Sequence, residues 1–125
     1  MMLTYAEIKP IKNNKVKAAT VFFVIDDMIY LTGEICKKKD GGGYFMSVAN
    51  APWKGSDEKW HNKYLAGILD DDAKTKLEDY IISLYTSNTF EFKTANMAKY
   101  LQWKAKFNKA PKAATSTTAP AGMVF

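Results

Sequence analysis

The side chains in this sequence best placed to do chemistry are its lysines. All 18 basic residues are lysine, and with 13 acids they leave a net charge of +5. A lysine ammonium is a hydrated point charge. It lacks the planar fork with which arginine reads guanine edges or clamps a phosphate. Lysines alone therefore hold a polyanion by its backbone charge, with modest sequence preference and strong salt dependence. Their placement is uneven. Lysines and acids balance up to Ser87, whereas from Asn88 onward Lys93, Lys99, Lys104, Lys106, Lys109 and Lys112 stand against Glu91 alone. That asymmetry predicts a neutral folded body carrying a basic arm that could meet an acidic polymer.

Two clusters sharpen the expectation. Lys37, Lys38 and Lys39 precede Asp40 and three glycines, so they sit at a flexible hairpin tip where consecutive ammonium groups can follow a phosphate backbone. A solvated turn that protects a sheet edge needs the same residues. In the last third, Tyr100, Trp103 and Phe107 recur at i, i+3 and i+7 among Lys99, Lys104 and Lys106. Rings that stack on bases beside cations that hold phosphates are what single-strand binding uses. A stripe at helical spacing is equally what a packing face uses, and both readings stand. Trp53, next to Lys54 in a loop with Pro52 and Gly55, is a further exposed ring.

Catalysis finds little to work with. Asp70, Asp71 and Asp72, followed by Glu78 and Asp79, carry enough carboxylate for a divalent cation, but consecutive helical residues diverge and helix capping accounts for the triplet. His61 has no second histidine to join it, and Cys36 is a single thiol, so neither a disulfide nor a Cys/His zinc site is expected. Gly41 to Gly43 lack the spacing and the strand-to-helix setting of a phosphate loop. The expectation is a protein without catalytic residues, cofactor or metal.

The elements that position these residues read as strands first. Lys17 to Ile25 is apolar on both alternating faces, which predicts a central strand or one covered on both sides. Thr4 to Lys9 precedes it, Met28 to Cys36 follows an Asp26-Asp27 turn, and Tyr44 to Ala49 closes the next hairpin. Asn50 to Glu58 reads as a longer loop, and Trp60 to Ala66 as a fifth, irregular strand. The period then switches: Ala73, Leu77, Tyr80, Ile81 and Leu84 predict a helix from about Asp71 to Tyr85. Thr89 to Phe92 is a short strand or linker, Thr94 to Phe107 a second helix, and the small, polar, proline-bearing run from Ala110 a disordered tail. The predicted fold is α+β, an antiparallel sheet of four to five strands with one packed helix. The expected division is a body over residues 1–87, a basic helical extension over 88–109 and a tail over 110–125. No apolar run reaches the roughly 20 residues that cross a bilayer. The opening residues lack the pattern of a secretory signal, so a cytosolic setting is expected.

The order of these parts, and the strings IKPIKNNKVKAATVFFVIDDMIYLTGEI, GGGYFMSVA and YLAGILDDDAKTKLEDYIISLY, resemble the SpoVG (stage V sporulation protein G, or septation protein) family over roughly Leu3 to Tyr85. The anchors are Lys17-Ala18 before the apolar strand, Gly43-Tyr44-Phe45, and Ile68 leading into the helix. The resemblance implies a small cytoplasmic bacterial regulator, a homodimer formed through sheet strands that binds DNA or RNA. Carried over by position, Lys54 matches a basic loop site, and Lys74 and Lys76 match basic helix positions. The sequence expectation is thus a non-catalytic nucleic-acid-binding homodimer using Lys37, Lys38, Lys39, Lys54, Lys74 and Lys76 on the body and Lys99, Lys104, Lys106 and Lys109 on the arm. The alternative is an adaptor that docks a protein through the C-terminal aromatic helix.

Overall fold

The structure, a computed structural model, describes residues 1–94, 98–107, 115–119 and 122–125. Its architecture follows from the doubly apolar strand β2 (Lys17–Ile25), which lies in the interior of the sheet between β1 (Met2–Pro10) and β3 (Ile29–Lys37). Phe23 pairs with Ala6 on one side and Leu31 on the other, and Val21, Phe23 and Ile25 join the main core. Phe22 and Val24 point to the opposite face, where they pack with Tyr5. The turn from β2 to β3 uses Asp26 and Asp27, both in the left-handed region at φ 55° and 54°, a conformation aspartate tolerates. It is fastened to β1, because the Met2 amide donates to Asp26 Oδ1 and the Asp27 amide to Thr4 Oγ1. Strand β4 (Tyr44–Val48) continues the sheet beside β3, and Gly33 lets it approach: a Cβ there would lie 2.8 Å from the Ser47 carbonyl oxygen.

Helix α1 (Asp71–Thr86) covers the core face with Leu77, Ile81 and Leu84. The acidic triplet starts it as a cap. Asp70 is extended, its Oδ1 accepts from the Ala73 amide at 2.9 Å, and Asp71 and Asp72 complement the positive helix end. The helix closes at Asn88, in the left-handed region, whose amide donates to the Tyr85 carbonyl. Asp70→Ala should lower stability by about 1 kcal/mol, seen as a reduced urea midpoint with an unchanged slope.

The α+β expectation holds: five antiparallel strands run in the order β4-β3-β2-β1-β7, with one main helix, although the fifth strand expected at Trp60 to Ala66 is not among them. The last third corrects the sequence reading. Residues 89–94, set apart there from the body, form β7 (Thr89–Thr94), which pairs with β1 and buries Phe92. The second helix, α2 (Ala98–Phe107), starts later than Thr94 because that residue ends β7. The expected tail supplies β8 (Thr115–Ala119), parallel to β7, and β9 (Met123–Val124), paired with the start of β1. Threonine-rich composition cannot bury a core of its own, which is why it reads as tail. An available sheet edge supplies the hydrogen bonds that composition does not reveal. Two parallel strands need a long crossover, and α2 lies within it, so β7-α2-β8 is a βαβ unit.

The expected loop at Asn50 to Glu58 is also corrected. Asn50–Lys54 is strand β5, paired antiparallel with β6 (Trp60–Tyr64) in a separate two-stranded sheet. Pro52 reads as a loop breaker, but a two-stranded ribbon consists of edges, where a missing amide donor is tolerated. Among the described residues no helix is long and apolar enough to cross a membrane.

Candidate nucleic-acid interface

The structure places the body lysines on three elements. Lys37, Lys38 and Lys39 are exposed at the β3–β4 tip, where the Gly41 amide donates to the Lys38 carbonyl and Asp40 Oδ1 accepts from the Gly42 amide. Lys37 is partly committed, its Nζ donating to the Asn14 carbonyl at 2.7 Å. Lys54 is exposed near the end of the β5–β6 ribbon, and Lys74 and Lys76 are exposed in the first turns of α1. Two positions apart on a helix, those two point to different sides. None of these six lysines forms an ion pair among the described residues. Lys9, Lys17 and Lys93 do, with Glu7, Glu34 and Glu91 at 3.5, 2.9 and 3.4 Å. The hydrogen bond from Lys17 to Glu34, reinforced by their attraction, raises the Lys17 pKa above its ordinary value.

Lys99, Lys104 and Lys106 belong to α2, Lys106 being exposed, and Lys109 lies outside the described residues. Trp103 stacks on Phe22 at 5.5 Å with an interplanar angle of 16° and lies 5.2 Å from Tyr30. Of the two uses open to this stripe, Trp103 takes the packing one, covering the second face of β2 and β3. Tyr100 and Phe107 are part of the same helix. Beside Trp103, a groove of about 490 Å³ includes Glu7, Lys9, Thr20 and Glu34. Tyr5 donates from its hydroxyl to Glu7 Oε2 at 2.8 Å there. The two acids of this face are each ion-paired, Glu7 with Lys9 and Glu34 with Lys17.

Strand alternation divides the β5–β6 ribbon into two faces. Trp53 pairs with His61 on one, and their rings stack at 4.8 Å, so Trp53 spends part of its surface within the ribbon. His61 Nε2 lies 3.1 Å from both carboxylate oxygens of Asp57. That bond, with the Lys59 amide, holds the Asp57 carboxyl below its ordinary pKa. On the other face Lys54 is paired with Trp60, followed by Pro52 with Asn62 and Asn50 with Tyr64. Trp60 and Tyr64 are 70% and 78% exposed, and among the described residues neither stacks on another ring.

This second face leads into a groove of about 380 Å³ between β4, the ribbon and α1, lined in part by Asn50, Asn62, Tyr64, Lys74 and Glu78. Asn50 Nδ2 donates to Ser47 Oγ, while its Oδ1 and Glu78 Oε2 are buried and, among the described residues, have no hydrogen-bond partner. Burial pushes the Glu78 carboxyl up, with Asp79 adding and Lys74 opposing. Lys54 and Lys74, from separate sequence motifs, thus border one continuous face. Lys37 to Lys39 and Lys76 do not join it.

Sequence reasoning missed Trp60, Tyr64, Lys59 and Lys63 as candidates. The available signal was the pairing of two short runs across Gly55 to Lys59, obscured by Pro52. The isolated residues have structural explanations. Cys36 is buried, and desolvation, with help from Glu34 against Lys17, raises its thiol pKa, so the neighbouring lysine tip does not activate it. Among the described residues no group of three or more His, Cys, Asp or Glu side chains is arranged to hold a metal. No family model, curated protein or solved structure matches the chain.

Proposed function

We propose that this protein binds nucleic acid without catalysis, mainly through backbone electrostatics, as a SpoVG-like regulator acting as a homodimer in the cytoplasm. The observation that carries the reading is the division among its lysines. Among the described residues, those at the β3–β4 tip, on the ribbon and at the start of α1 project to solvent without an ion-pair partner, whereas Lys9, Lys17 and Lys93 are paired. Unpaired ammonium groups bind phosphates without first breaking an ion pair, and each contact releases counterions. The strand and helix order behind the SpoVG resemblance supports the same reading. A homodimer would present each lysine group twice, letting two weak surfaces act together. The adaptor alternative is less favoured, because Trp103 is stacked on its own sheet.

A salt titration tests the proposal. Affinity for mixed-sequence oligonucleotides should fall linearly with the logarithm of salt concentration, with little dependence on sequence. The double substitution Lys38→Ala/Lys39→Ala should reduce that slope by about 2, roughly one per phosphate contact removed. Absence of binding at low salt would reject the function. A slope unchanged by the double substitution would remove the tip from the interface.

A further inference from the structure

We propose that the face formed by Lys54, Trp60, Asn62 and Tyr64, together with the groove it shares with Lys74, is a binding site for single-stranded nucleic acid. This inference deepens the nucleic-acid reading and rests on it, because it names the form of polymer and where its bases go.

Three independent features converge there. The first is the pair of exposed rings. A two-stranded ribbon has no core beneath it, so Trp60 and Tyr64 gain little from packing within the monomer. Rings presented this way offer flat surfaces on which any base can stack. The second is charge. Lys54 and Lys74 border the face, and among the described residues neither has an ion-pair partner. The acids of the ribbon, Asp57 and Glu58, are confined to its turn, and Asp57 is engaged by His61. The third lies within the groove, where, among the described residues, Asn50 Oδ1 and Glu78 Oε2 are acceptors without donors. Buried acceptors are ordinarily satisfied by protein or water, so two on one groove offer places for a ligand's N–H or O–H groups. Base amino groups are such donors, as are ribose hydroxyls.

Geometry selects an unpaired strand. Trp60 and Tyr64 lie four residues apart on one strand, roughly 13 Å. Neighbouring bases in a stacked duplex are about 3.4 Å apart and hide their faces from side chains. Only a strand with splayed bases can lay one on each ring while presenting a base edge to the groove. Trp53, on the opposite face and stacked on His61, is not part of this track.

The test is fluorescence anisotropy on the full chain, with labelled mixed-sequence DNA and RNA single strands of about 12 nucleotides, a length within known single-strand site sizes, and the matching duplex. Single strands, of either sugar, should bind at least about ten-fold more tightly than duplex. Trp60→Ala and Tyr64→Ala should each weaken single-strand binding about ten-fold, the scale of one lost base stack. Trp60→Phe should retain most of the affinity, and Trp53→Ala should change it little. Circular dichroism should show each variant folded, as expected for exposed side chains. Equal binding of duplex and single strand, unaffected by Trp60→Ala and Tyr64→Ala, would overturn this site while leaving the broader function standing. Failure of every polymer to bind would overturn both.

Discussion

Truncating the chain after Ser87 should abolish cooperative unfolding. The cut removes β7, whose Phe92 is 3% exposed in the main core and which pairs with the middle of β1. Phe92 meets Tyr80 edge-on at 5.6 Å and Phe90 stacks near Tyr85, so α1 loses contacts as well. Loss of a buried phenylalanine side chain alone costs about 3–5 kcal/mol. Domains of this size have roughly 5–15 kcal/mol of total stability. The cut also removes β8 and β9 and leaves β1 with an open edge. The measurement is urea unfolding followed by circular dichroism, where the truncated chain should show no sigmoidal transition. A midpoint equal to that of the full chain would make the last third a separable appendage after all.

Phe23→Ala is the single substitution with the largest expected cost, about 3–5 kcal/mol. The side chain is 0% exposed, on the interior strand β2, in the core that α1 covers. Strands on both sides and a helix above leave the surroundings little freedom to close the cavity, which favours the upper part of the range. Phe22→Ala, one residue away, should cost less, because Phe22 is half-buried on the face where Tyr30 and Trp103 stack over it. Urea midpoints of the two variants measure the difference. Equal losses would mean that the two faces of β2 are equally buried, contrary to the structure.

The body of the fold was legible because its signals are local. The two-faced apolar run at Lys17 to Ile25, the Asp26-Asp27 turn and the 3.6-residue spacing after Asp70 each specify one element without reference to the rest of the chain. The last third was not. Whether TFEF is a linker or an interior strand depends on whether β1 has a vacant edge, and the threonines of β8 become a strand only because β7 is there to pair with. The candidate site divided in the same way. Lys54 and Lys74 were visible as lysines, but their common border depends on the ribbon, which Pro52 concealed. The even alternation that places Trp60 and Tyr64 beside Lys54 becomes evident only once Asn50 to Lys54 is recognised as their partner strand.

The pairing of β1 on both sides bears on how the chain is made. Its first partner, β2, follows within a few residues, but its second, β7, lies about seventy positions further along and is synthesised at roughly 5–20 residues per second. For several seconds on the ribosome, one flank of the opening strand has no native neighbour and is free to pair with a strand from another nascent chain. Slower translation through the segment encoding α1 would prolong that interval, so aggregation during expression should depend on codon usage there even though the finished protein is identical.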